Sequence, residues 1–113
     1  MGKRDDLIAK HCEDLESTCG MTADKELMKK VCIGLGPALY KQDAQKVAAG
    51  DPEEMDRIKK NFLMKKLGVP DGPELDAGMD AMVEKYGRSN RNKQRAVFYY
   101  LLVKHFGKES VYG

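Results

Sequence analysis

Tryptophan is absent from this chain, histidine occurs twice, cysteine three times and proline four times in 113 residues. Each scarcity removes something. With only His11 and His105, and no closely spaced cysteine or histidine pairs, a structural zinc site has no ligand set. The longest uncharged stretch near the C-terminus, "AVFYYLLV", falls far short of the roughly 18 residues that a membrane span needs. The opening "MGKRDDLIAKHCEDLE" turns acidic at once and lacks the apolar segment of a secretory signal. Asp6 stands where a myristoylation signal requires Ser or Thr. These readings predict a cytoplasmic protein with reduced thiols and no membrane partner.

Nucleotide and calcium motifs are missing as well. "GLGPAL" lacks the last glycine of a dinucleotide fingerprint and follows a predicted helix rather than a strand. No glycine-rich loop precedes Lys and Ser or Thr at P-loop spacing. "DPEEMDRIKKNF" and "DGPELDAGMDAM" lack the glycine that a calcium loop places at its sixth position. No catalytic constellation is recognisable, so the chain reads as a non-enzyme with no predicted catalytic residue, metal or cofactor.

What the sequence does contain is helical patterning. Charged residues make up 34% and hydrophobic residues 42%, a mixture that can bury one core, and the length fits one domain spanning residues 1–113. A first helix is predicted from Lys3 to Cys19, with Ile8, Cys12, Leu15 and Cys19 on one face. Thr22 is placed to cap a second, whose stripe is Leu27, Met28, Val31, Cys32 and Leu35. "PALYKQDAQKVAAG" reads as one or two short helical turns. In "DPEEM", Asp51 is the cap, Pro52 the first helical residue and Glu54 a capping-box partner. That third helix turns Met55, Ile58 and Phe62 inward and ends at Gly68, while Leu63, Met64 and Leu67 spill around it. A fourth, Pro73 to Tyr86, buries Leu75, Met79, Met82, Val83 and Tyr86; a fifth runs from Ser89 or Asn90 to just before Gly107. Sustained period-two alternation is absent. The expected fold is all-α, a compact bundle of about five helices with short connections.

Charge is distributed by helix. Five cations (Arg57, Lys59, Lys60, Lys65, Lys66) are followed by five acids (Asp71, Glu74, Asp76, Asp80, Glu84), and then by the basic entrance of the fifth helix. On that helix Arg91 and Arg95 extend the line of Phe98 and Leu102, while Lys93, Val97, Tyr100 and Lys104 form a second line expected to face outward. Cations at a helix N-terminus oppose its dipole, so something must compensate them. Pairing with acids on neighbouring helices is the favoured explanation. The functional alternative is an anion- or partner-binding site built from Arg91, Lys93, Arg95, Tyr100 and Lys104, for an unknown protein or a phosphorylated small molecule. Sequence-tolerant nucleic-acid binding, with Tyr99, Tyr100 and Phe62 stacking on bases, is disfavoured by a net charge of only +2.

A thiol-based oxidoreductase is the remaining alternative, with Cys12, Cys19 and Cys32 as its redox residues. Cys12 and Cys19 lie about 10 Å apart along an intact helix, too far for a disulfide. Cys32 can approach either across the first two helices. All three fall on predicted core stripes, which favours inert packing.

The blocks "SNRNKQRAVFYYLLVKHFGKESVYG", "DPEEMDRIKKNFLMKKLG" and "GLGPALY" together resemble a family of small bacterial proteins of roughly this length, found mainly in proteobacteria and grouped as a domain of unknown function. The resemblance covers nearly the whole chain. It implies a small all-helical cytoplasmic protein and carries over no catalytic or binding residue. The three cysteines are not part of the pattern.

Overall fold

The computed structural model describes residues 3–35, 46–47, 50–87, 89–90 and 93–112. Among the described residues five helices follow one another: α1 (Lys3–Cys19), α2 (Lys25–Leu35), α3 (Pro52–Arg57), α4 (Pro73–Tyr86) and α5 (Arg95–Phe106). Helix α3 continues as a π-helix over Ile58–Met64, and a 3-10 turn over Glu109–Tyr112 follows α5. No strand forms among the described residues; Lys46 and Gln94 make one isolated antiparallel bridge. The turns expected in "PALYKQDAQKVAAG" lie largely outside the described residues.

Helix α5 is the axis of the molecule. Ala96, Val97, Phe98, Tyr100 and the run Leu101–Val103 are all buried, because α1, α2 and α4 each pack against it. A helix enclosed on most sides needs no polar stripe, and "AVFYYLLV" supplies none. Around it stand Leu27, Met28, Val31 and Cys32 of α2, and Leu75, Met79, Met82, Val83 and Tyr86 of α4. These are the stripes that helical spacing predicts. On α1 the buried face is shifted: His11, Cys12 and Leu15 are inside, while Ile8 and Cys19 are only half-buried.

The π-helical stretch explains the apolar residues that spill around the third helix. Lys65 and Leu67 donate their N–H groups to the carbonyls of Lys60 and Phe62, five residues back, at 3.2 and 2.9 Å. Five-residue bonding widens the turn and brings residues five apart closer to one line. Ile58 and Leu63, and likewise Phe62 and Leu67, thereby enter the same core.

Two boundaries differ from the sequence expectation. Asp24, not Thr22, caps α2: its Oδ1 accepts the N–H groups of Glu26 and Leu27 at 3.1 and 3.2 Å. Helix α5 begins at Arg95 rather than at Ser89 or Asn90. The residues before it are held by long-range hydrogen bonds instead. The Gln94 N–H donates to Tyr86 Oη at 2.9 Å, and the Val47 N–H donates to the Lys93 carbonyl at 2.8 Å. At its far end α5 stops at Gly107, whose φ of 64° is left-handed and suited to a residue without a β-carbon. Beyond it, the turn Glu109–Tyr112 packs on α2, so the tail docks.

Candidate functional site

At the entrance of α5 the arginine already has partners. Arg95 Nη2 lies 2.8 Å from Glu54 Oε1, and its Nη1 donates to Tyr99 Oη at 3.0 Å. Glu54 Oε2 in turn accepts from Arg57 at 3.1 Å. Glu54 therefore does not complete a capping box; only Asp51 caps α3, accepting the Glu53 N–H at 3.0 Å. Side-chain exposure is 14% for Arg95 and 15% for Glu54, so this pair is mostly withdrawn from water. Burial opposes ionisation of Glu54, but the hydrogen bonds from Arg95 and Arg57 outweigh it and hold the carboxyl below its usual range. Tyr99 stacks on Phe62 with ring centroids 4.0 Å apart, so the same few residues clamp α5 to the π-helix.

The other residues of the predicted anion site do not gather around Arg95. Lys93 was expected to face outward on the helix; it lies before the helix and is 2% exposed, its ammonium donating to the Asn90 carbonyl at 2.6 Å. Tyr100, also expected at the rim, is fully buried and accepts the Asp24 N–H at 2.8 Å. Lys104 is about 13 Å further along α5 by the helical rise, 3.7 Å from Glu109. Arg91 lies outside the described residues. The arrangement can position helices; as placed, Lys93 and Tyr100 cannot meet a partner at the surface.

The thiols are equally quiet. Cys12, Cys19 and Cys32 carry thiols rather than disulfides, with Cys12 and Cys32 buried. Burial pushes the Cys12 thiol up, assisted by Glu16. Cys19 rises to about 11, first from burial and then from Asp14. Nucleophilic cysteines need the opposite environment, one that favours thiolate near neutrality. Asp14 also accepts hydrogen bonds from Thr18 and from Tyr86, the latter tying α4 to α1. His11 is buried beside these groups on α1, and its Nδ1 has no hydrogen-bond partner. Among the described residues no three His, Cys, Asp or Glu side chains cluster closely enough to hold a metal ion, and no helix is long and apolar enough to cross a membrane.

One surface combines apolar floor and charge. Between α3 and α4 runs an open groove of about 370 Å³. Its floor is Met55, Met79 and Val83; the exposed carboxylates Asp56, Asp76 and Asp80 border it. Lys59 is the cation of the lining, and it bridges Asp71 and Asp76 at 2.9 and 3.0 Å. Asp76 and Asp80 are four residues apart on α4, hence one above the other on its outer face. Sequence reading assigned these acids to pairing between helices and the methionines to the core. Pairing is present: Lys59 bridges Asp71 and Asp76, and Lys60 lies 3.0 Å from Asp56. The signal that marks the groove in sequence is the four-residue repeat Asp76, Asp80, Glu84 beside Met79 and Val83.

No curated protein matches the chain. Residues 10–110 match the model of a family described as "Protein of unknown function (DUF2853)".

Proposed function

Taking as premise that the chain belongs to the DUF2853 family of proteins of unknown function, we propose that it is a non-enzymatic interaction domain that seats a basic segment of a partner in the α3–α4 groove. One observation carries the reading: a methionine-lined apolar floor bordered by Asp56, Asp76 and Asp80. Methionine side chains are flexible and polarizable, so they adapt to an inserted aliphatic group. Carboxylates on the border favour cations flanking that group and disfavour acidic competitors. The partner segment is therefore an aliphatic residue between lysines or arginines. The proposal takes the cytoplasm as its compartment, where half-buried thiols such as Cys19 stay reduced.

Arg95 contributes to this function indirectly, by locking α5 against α3 through Glu54. An anion recruited to the α5 entrance would have to displace that carboxylate, which makes it the less favoured contact. For the thiol alternative, the raised pKa values of Cys12 and Cys19 argue in the same direction.

The test is a ¹⁵N–¹H correlation spectrum titrated with a short leucine peptide flanked by lysines, and separately with inorganic phosphate. Saturable shifts at Met55, Lys59, Met79, Asp80 and Val83 with the peptide, weakened by salt, are expected. Shifts confined to residues 93–95 with phosphate, and none with the peptide, would replace this reading by the anion site.

A further inference from the structure

A separate cleft of about 470 Å³ lies between α1 and the chain that leads into α5. Its α1 wall presents Lys10, Glu13, Asp14 and Ser17; the last three stand three, four and seven residues after Lys10 and so share its face. The other wall is Lys46 and Gln94, the two residues of the isolated antiparallel bridge, whose side chains leave the bridge on one side. One buried phenol ties the walls together. Tyr86 Oη donates to Asp14 Oδ2 and accepts the Gln94 N–H at 2.9 Å. Thr18 holds the other Asp14 oxygen at 2.8 Å, and Arg95 donates to the Lys46 carbonyl at 3.5 Å. Walls fixed before a ligand arrives lose little freedom on binding it.

The lining is polar throughout; among the described residues no apolar side chain enters it. Asp14 is occupied by Thr18 and Tyr86, and the Ser17 hydroxyl reaches the Asp14 carbonyl at a long 3.5 Å. None of the ion pairs among the described residues engages Lys10, Glu13 or Lys46, so those three charges are open to a ligand. A simple anion would gain from the two lysines but meet two carboxylates. A simple cation faces the reverse. A molecule carrying both signs satisfies both sets. We propose that this cleft binds a small zwitterion of the amino-acid class, its carboxylate between Lys10 and Lys46 and its ammonium on Glu13. Gln94 and Ser17 supply neutral hydrogen bonds to a polar remainder. Free amino acids and short peptides share this chemistry. The cleft has no lining residue in common with the α3–α4 groove, so either reading can fail alone.

The test is a set of ¹⁵N–¹H titrations of the full chain with glutamine, glycylglutamine, acetate and methylammonium. Saturable shifts at Lys10, Glu13, Ser17, Lys46 and Gln94 are expected with a zwitterion, and none at the same concentrations with acetate or methylammonium. The tighter of the two zwitterions tells a free amino acid from a short peptide. Lys46→Gln and Glu13→Gln should each weaken the zwitterion by about threefold to fivefold, the worth of one exposed charge pair. Both altered side chains are exposed, and unchanged shifts across the rest of the spectrum show that the variants fold. Absence of a saturable shift with either zwitterion overturns the inference. So does acetate binding as tightly as glutamine, which would leave the lysines alone as an anion site. Binding that neither substitution weakens overturns it as well, because the ligand would then lie elsewhere.

Discussion

Replacing Arg95 by alanine leaves Glu54 with Arg57 alone, whose side chain is 61% exposed and holds its partner weakly. A mostly buried carboxylate that loses a charged hydrogen bond costs the fold about 2 kcal/mol, whereas Arg57→Ala should cost less than about 0.5 kcal/mol. Urea unfolding of the two variants measures the difference. Equal losses would mean that the Arg95–Glu54 pair does not hold α5 to α3. His11 makes a second prediction at this scale. Its pKa lies below the ordinary 6.5, mainly through burial and then through Lys10, with Asp14 opposing. Below that ordinary value the unfolded chain binds a proton that the native chain resists, so stability falls as pH drops through about 6.5. His11→Leu should flatten the stability profile between about pH 7 and pH 5, a range that contains the ordinary histidine titration. An unchanged slope would assign the acid sensitivity to other groups. Neither residue was fully legible beforehand. Sequence reading favoured pairing of Arg95 with an acid on a neighbouring helix but could not name Glu54, 41 positions away, and His11 stood out only as one of two histidines without a ligand set.

Helix ends show how local preference and tertiary contact compete. Thr22 and Asp24 are both acceptable caps by type, and spacing alone does not choose between them. The choice falls to Tyr100, whose hydroxyl accepts the Asp24 N–H and anchors that residue where its carboxylate meets the first turn of α2. Asp24→Ala should therefore lower stability by about 1 kcal/mol and Thr22→Ala by a few tenths, as read from thermal unfolding midpoints. Comparable losses for the two would show that the cap is shared. The start of α5 follows the same logic. Ser89 and Asn90 are good capping types, but Tyr86 and Val47 hold the backbone of residues 93–94 in hydrogen bonds that a continuous helix would break. Helix α4 and α5 also meet closely at Gly78, where an added β-carbon would lie 2.9 Å from the His105 ring. That glycine sits mid-helix, where it costs helical stability, because the neighbouring helix needs the space.

Across the whole molecule, charges of both signs are interleaved. The α3–α4 side carries Asp56, Asp76 and Asp80 around an apolar floor, with Lys60 on Asp56 and Lys59 on Asp76. The thiols add nothing to that groove: Cys12 and Cys32 fill the core that supports α5.

Burial repeats with the helical period, so the sequence by itself determined the helical class, the order of the five described helices and the stripes of α2 and α4 that meet in the core. The cap at Asp51 and the stop at Gly107 were likewise local matters of backbone geometry. Long-range pairing left no periodic trace. That Arg95 answers Glu54, that Lys93 turns inward to Asn90, that Tyr86 delays α5 and that Tyr100 holds Asp24 were decided only by the tertiary structure. The physical reason is common to all four: each position's environment is set by neighbours supplied when separate segments pack, whereas a helical stripe is written within a few turns of its own chain.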